Sequence, residues 1–132
     1  MIGIDTNILI RFLVQDDPAQ AAAARSLFDR CSARDPGFIG REVLVETVWV
    51  LERAYGRTPA EISAVLMGLL ETEELVLEEA AEVATAAQAY GEGAAGFADH
   101  MIAAAALRAG CQTLYTFDRK TARHNAVTLL VK

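Results

Sequence analysis

The sequence predicts an α/β fold: a short parallel sheet of four to five strands joined by crossover helices. Three observations carry that prediction. Brief apolar runs of strand character alternate along the whole chain with longer segments whose apolar residues return every three or four positions. Most of the helical segments bring their own start and stop residues. The alternation itself implies parallel pairing, because parallel neighbours need a crossover connection and a helix is the usual one.

Ile2 to Asp5 reads as the end of a strand, and Ile8, Leu9, Phe12 and Leu13 recur at helical spacing over 6–14. Asp17 then suits an N-cap and Pro18 the first position of a second helix, where its missing N–H costs nothing. Pro36-Gly37 marks a turn before the very short strand GFIG, and REVLVETVWVLERAYG is a helix closed by Gly56. Thr58, Pro59 and Glu61 read as N-cap, first position and capping-box partner of the next helix, TPAEISAVLMGLL. ELVLEE is a strand, AAEVATAAQAY a helix, and the glycines at 91, 93 and 96 a loop. DHMIAAAALRAG is a helix from Asp99 that Gly110 ends, followed by the strands TLYTF and AVTLLV.

With 132 residues, 53% of them apolar, the chain has the material for one compact domain over 1–132 with its own core. A formal net charge of −6 excludes a surface that holds nucleic acid by charge alone, so any polyanion must be met locally. Cys31 and Cys111 lie far apart with no metal-ligand spacing and read as buried, reduced thiols of a cytoplasmic protein. Asp5 and Arg11 interrupt any signal-peptide pattern, and the uncharged apolar stretch 101–107 is too short to span a bilayer, so a soluble, intracellular protein is expected.

Four acids occupy unusual places. Asp5 and Asp118 each end a strand, where parallel α/β sheets open their ligand crevice; a helix-capping role accounts for Asp5 equally well. Asp99 opens a helix of small apolar residues, where capping again suffices, although a buried helix would turn it toward a crevice. Leu44, Val48, Leu51 and Tyr55 form a core stripe with Glu42, Glu46 and Arg53 roughly opposite. Glu46 nevertheless has Val43, Trp49 and Val50 around it on the helix, a frame that fits a cleft better than open solvent. Carboxylates gathered in one crevice repel one another, a cost that a cation resolves. His100 and His124 are the only histidines and form no ligand cluster with them, so all-oxygen ligation selects magnesium or manganese and points to phosphate chemistry.

The fragments IDTNILIRFL, EVLVETVWVLER, FADHMIAAAALRAG and LYTFDRK, in that order, give the chain its resemblance to PIN-domain ribonucleases, in particular the VapC-type toxins of bacterial toxin–antitoxin pairs. The resemblance covers essentially the whole chain. It implies a three-layer α/β/α fold and a site of Asp5, Glu46, Asp99 and Asp118 around one or two Mg2+ or Mn2+ ions. Asp5 and Asp99 would be the primary ligands; Glu46 and Asp118 would orient the attacking water, ligate through water or hold a second ion. Thr6, Asn7 and Thr116 match polar positions that support such carboxylates by hydrogen bonds. The resemblance also implies RNA as substrate, a cognate antitoxin that holds the enzyme inactive, and a homodimer. His100 matches no family position and reads as a satisfied, partly buried histidine.

Setting the four acids aside brings the net charge from −6 to −2. Arg119, Lys120 and Arg123 beside the fourth acid, with Arg11 and Arg41 near the other proposed cleft elements, are candidate phosphate contacts or a plain solvated face. Aromatic residues make up only 7% of the chain, and no stacking platform for single strands is evident. AVLMGLL and Trp49 suit a partner groove or dimer face as well as they suit core packing. The alternative class is a non-catalytic module, a magnesium-binding receiver or a degenerate PIN domain. A receiver needs a second acid beside Asp5, and a haloacid-dehalogenase-type phosphatase needs an acid where Asn7 stands.

Overall fold

The computed structural model describes residues 1–131. In chain order the elements are β1 (Ile2–Gly3), α1 (Thr6–Leu13), α2 (Pro18–Asp29), β2 (Gly37–Ile39), α3 (Arg41–Arg53), α4 (Pro59–Leu70), β3 (Leu75–Leu77), α5 (Ala80–Gly91), α6 (Phe97–Arg108), β4 (Leu114–Thr116), a 3-10 turn at Thr121–Arg123, and β5 (Val127–Leu129). Six helices and short, entirely parallel sheets make this the expected α/β class.

The strands do not form one ladder. Among the described residues β1, β2 and β3 pair in that order, and β4 pairs with β5 separately. The brevity of β1 explains the division. Ile2 and Ile4 both direct their N–H groups toward the β2 side, onto the carbonyls of Pro36 (3.0 Å) and Phe38 (2.9 Å). Residues alternate sides along a parallel strand, so Gly3 alone is left to face the other way before α1 begins.

The helix signals hold up in detail. Thr58 and Glu61 form a reciprocal capping box, Asp17 accepts from Gln20 N–H at 3.1 Å, and Gly56 and Gly110 follow their helices with φ of 60° and 93°. Helix α6 begins at Phe97, two residues before the expected start, because Gly96 serves as its N-cap. The core joins Leu9 and Ile10 of α1, Ile39 of β2, Leu44, Val48 and Leu51 of α3, and Phe97 and Met101 of α6. Tyr90 OH donates to Glu52 Oε2 at 2.5 Å, which pins α5 to α3; burial and that carboxylate push the phenol pKa well up. Cys31 is buried as expected, but Cys111 is exposed, since it follows Gly110 off the surface end of α6. No helix among the described residues is long and apolar enough to cross a membrane.

Candidate functional site

Asp5 sits between β1 and α1 and does cap the helix: its Oδ1 accepts from Thr6 N–H at 2.8 Å. The second oxygen makes no hydrogen bond, and the residue is exposed. α1 packs on α3, and between them lies a concavity of about 380 Å³ lined by Asp5, Thr6, Asn7, Arg11, Glu46, Trp49 and Tyr55, among others. Capping therefore leaves room for a second use of Asp5: one oxygen is committed to the helix, and the residue lines the recess with the other making no hydrogen bond among the described residues.

Glu46 lies on the same recess and makes no hydrogen bond or ion pair among the described residues. It also borders a second, more apolar groove of about 450 Å³ between α3 and α6, with Trp49, Ala98, Met101 and Ile102. The cleft expected around Glu46 is thus present, and Trp49 forms its wall. That indole is 55% exposed, so it is no core residue; Arg53 stands over the ring, 5.5 Å from its centre. AVLMGLL, by contrast, is mainly core, with Leu66 and Leu69 buried and Met67 at the surface.

Asp99 is half-buried in the first turn of α6, where its Oδ2 accepts from Gly96 N–H at 3.1 Å. Asp118 is exposed, and its Oδ1 accepts from the N–H groups of Lys120 (2.8 Å) and Thr121 (3.2 Å), which fixes the 3-10 turn. Neither lines the Asp5–Glu46 recess. Ala98, the residue before Asp99, does share the α3–α6 groove with Glu46. Among the described residues no three Asp, Glu, His or Cys side chains gather closely enough to hold a metal ion. The structure brings Asp5 and Glu46 together and leaves Asp99 and Asp118 apart from them.

The supporting residues act differently from expectation. Thr6 steadies Asp5 through its backbone N–H, while its own hydroxyl is buried without a partner. Thr116 Oγ1 accepts from the backbone N–H of Asp118 at 3.1 Å and so orients the turn rather than the carboxylate. Asn7 lines the recess and makes no side-chain hydrogen bond among the described residues. Two of the basic candidates are occupied internally. Arg11 donates to Gln20 Oε1 (2.7 Å), Asp16 Oδ1 (3.3 Å) and Tyr55 OH (3.3 Å). Arg41, with only 18% of its side chain exposed, donates to Met101 O at 2.6 Å and ties α3 to α6. Arg119, Lys120 and Arg123 are exposed and form no ion pair or side-chain hydrogen bond among the described residues.

His100 is buried with Nε2 unpartnered, its ring centre 5.2 Å from that of His124. Burial, helped by His124 and opposed by Asp99, depresses its pKa. It is not the satisfied histidine the sequence suggested. Tyr55, expected in the core stripe, packs there only in part and sends its hydroxyl to Asp16 Oδ2 at 2.8 Å, at the edge of the recess. Its spacing from Leu51 and Val48 gave no sign of that polar end.

The sequence model of the PIN domain matches residues 2–127. Comparison with curated proteins and with solved structures finds no match.

Proposed function

We propose, from the premise that the chain belongs to the PIN-domain family, that it is a metal-dependent endoribonuclease and the toxin of a toxin–antitoxin pair. PIN domains are generally nucleases. The observation that carries the reading for this chain is the pair of carboxylates, Asp5 from the end of β1 and Glu46 from α3, on one recess with hydrogen-bonding capacity to spare.

An all-oxygen donor set fits Mg2+ or Mn2+, and magnesium is commonly held by one or two carboxylates plus waters and substrate phosphate. By the family resemblance Asp5 and Asp99 would hold the ion, with Glu46 and Asp118 holding a second one or acting through water, although of the four only Asp5 and Glu46 line the recess among the described residues. When bound, the ion supplies polarisation of the scissile phosphoryl oxygen and lowers the pKa of the attacking water. The chain's own part is positional and acid–base. Thr6 N–H and Gly96 N–H each fix one oxygen of Asp5 and Asp99 and leave the other available. Glu46, which makes no hydrogen bond or ion pair among the described residues, would accept the proton from the attacking water at its carboxylate. Asp118, anchored by two backbone N–H groups, presents its remaining oxygen beside Arg119 and Lys120. The same reading gives the enzyme a cytoplasmic setting, a homodimeric state and a cognate antitoxin.

The test is mapping of new 5′ ends in a total RNA pool incubated with the protein and Mn2+, with EDTA, and with Asp5→Asn. Ends that appear at defined sites only with the parent protein and metal support the reading; ends identical for parent and Asp5→Asn overturn it. That Asp99 and Asp118 do not line the recess, and that no metal-holding cluster forms among the described residues, favours a second reading, a PIN domain that binds RNA without cutting. It predicts retention of RNA with no new ends. The receiver alternative falls with the family match.

A further inference from the structure

We propose that the exposed face of the β4–β5 pair is a stacking platform for unpaired RNA bases, with Tyr115 and Phe117 as ring surfaces and Arg119, Lys120 and Arg123 as phosphate contacts. The choice of RNA rests on the ribonuclease reading above; the place rests on separate observations.

Exposure alternates along β4. Leu114 and Thr116 are half-buried and Tyr115 between them is 64% exposed, while Phe117, in the bend just past the strand, is 61% exposed. Phe117 follows Thr116 directly, two residues on from Tyr115, so both rings are at the surface at this end of β4. Tyr115 is in register with Thr128 of β5, also exposed, and Leu130, 46% exposed, continues the partner strand by donating its N–H to Thr116 O at 2.7 Å. Parallel sheets normally have both faces covered by helices, and aromatic rings turned outward from one are unusual.

The cations follow at once in the chain. Asp118 accepts from Lys120 and Thr121 N–H and so holds the turn that carries Arg119, Lys120 and Arg123 next to the strand end. These three are unpaired among the described residues, while Arg11, Arg41 and Arg108 are each bound to carboxylates. In a chain of net charge −6, three exposed cations within five residues give a polyanion a local foothold. A single strand satisfies both chemistries together, base on ring and phosphate on cation. A duplex hides its base faces and meets only the cations.

The experiment is fluorescence anisotropy of a labelled single-stranded RNA of mixed A and U sequence, and of a matched duplex, in EDTA so that nothing is cleaved. Tyr115→Ala is expected to weaken single-strand binding about tenfold, equivalent to about 1.4 kcal/mol, and to leave duplex binding unchanged. Tyr115→Phe should keep the parental affinity. Arg123→Gln should lower the salt slope by about 0.7. Ring signals of Tyr115 and Phe117, followed by NMR in the unaltered protein as RNA is added, are expected to shift and do not depend on any variant folding. Parental single-strand affinity in Tyr115→Ala and Phe117→Ala, equal losses for both RNAs, or unmoved ring signals overturn the platform. Because no metal or cleavage enters the assay, such failure leaves the ribonuclease reading standing; ring-dependent binding by a protein that never cuts overturns that reading alone.

Discussion

A Cβ added to Gly96 would stand 3.0 Å from Asp99 Oδ2, so the bare backbone at this N-cap is what lets the carboxylate close onto the N–H of residue 96. Gly96→Ala is expected to displace Asp99 while leaving α6 intact, because φ at residue 96 is −67°, ordinary for alanine. The Mn2+-induced rise in melting temperature should shrink in Gly96→Ala beyond the modest drop in metal-free stability, about 1 kcal/mol, expected from losing this cap. At the other end of the scale of roles, Thr58 only caps. Thr58→Ala should cost about 1 kcal/mol in urea unfolding. Its partner Glu61 has its pKa held below the ordinary 4.5, chiefly by the hydrogen bond from Thr58 N–H. A carboxyl depressed in the folded state stabilises it fully above its unfolded pKa, and that contribution disappears as pH falls through the folded value. Glu61→Gln should therefore lose less stability than the parent between neutral pH and about pH 3. The Thr58–Glu61 cap was legible because capping is local chemistry over three or four residues, whereas Gly96 read as part of a loop and its cap was missed. The division of Asp5 between capping and the recess was legible only as two competing readings, since a sequence does not say which lone pair remains open.

At the scale of elements, α4 and α5 meet where Ser63 Oγ donates to Ala87 O at 2.8 Å. A Cβ on Gly91 would lie 2.7 Å from Ser63 Cβ and Oγ. Gly91→Ala should cost about 1–3 kcal/mol as the helices are forced apart, read from the urea midpoint with the slope unchanged. The sequence placed Gly91 in a loop, and in fact it closes α5; the close approach that selects glycine comes from a residue far away in the chain. Leu44, fully buried at the centre of α3, shows the opposite case: the stripe Leu44, Val48, Leu51 is periodic and was readable directly. Leu44→Ala should cost about 2–5 kcal/mol in the same measurement. The 3-10 turn at 121–123 had no periodic signal to give it away, and Asp118 reaching forward to Lys120 and Thr121 N–H makes it.

Across the whole molecule, alternation of strands and helices disclosed the class, and strand direction followed from it. The break between the three-stranded and two-stranded ladders was hidden, because it depends on β1 having a single residue to offer its far side. Charge told a similar story. Net −6 correctly warned against a generally basic surface, yet it could not separate Arg11 and Arg41, which are engaged by other parts of the chain, from Arg119, Lys120 and Arg123, which face solvent unpaired among the described residues. Low aromatic content likewise concealed that Tyr115 and Phe117 are on the surface together. Under the proposed function, Asp5, Glu46, Asp99 and Asp118 serve one metal-dependent site. Thermal unfolding under Mn2+ titration, for the parent and for Asp5→Asn, Glu46→Gln, Asp99→Asn and Asp118→Asn, tests it most directly. An ion at a hundred times its dissociation constant stabilises a fold by about 2.7 kcal/mol. The parent is expected to show that shift, Asp5→Asn and Asp99→Asn to lose it, and the other two variants to show a weaker one; a full parental shift in Asp99→Asn and Glu46→Gln overturns the shared site.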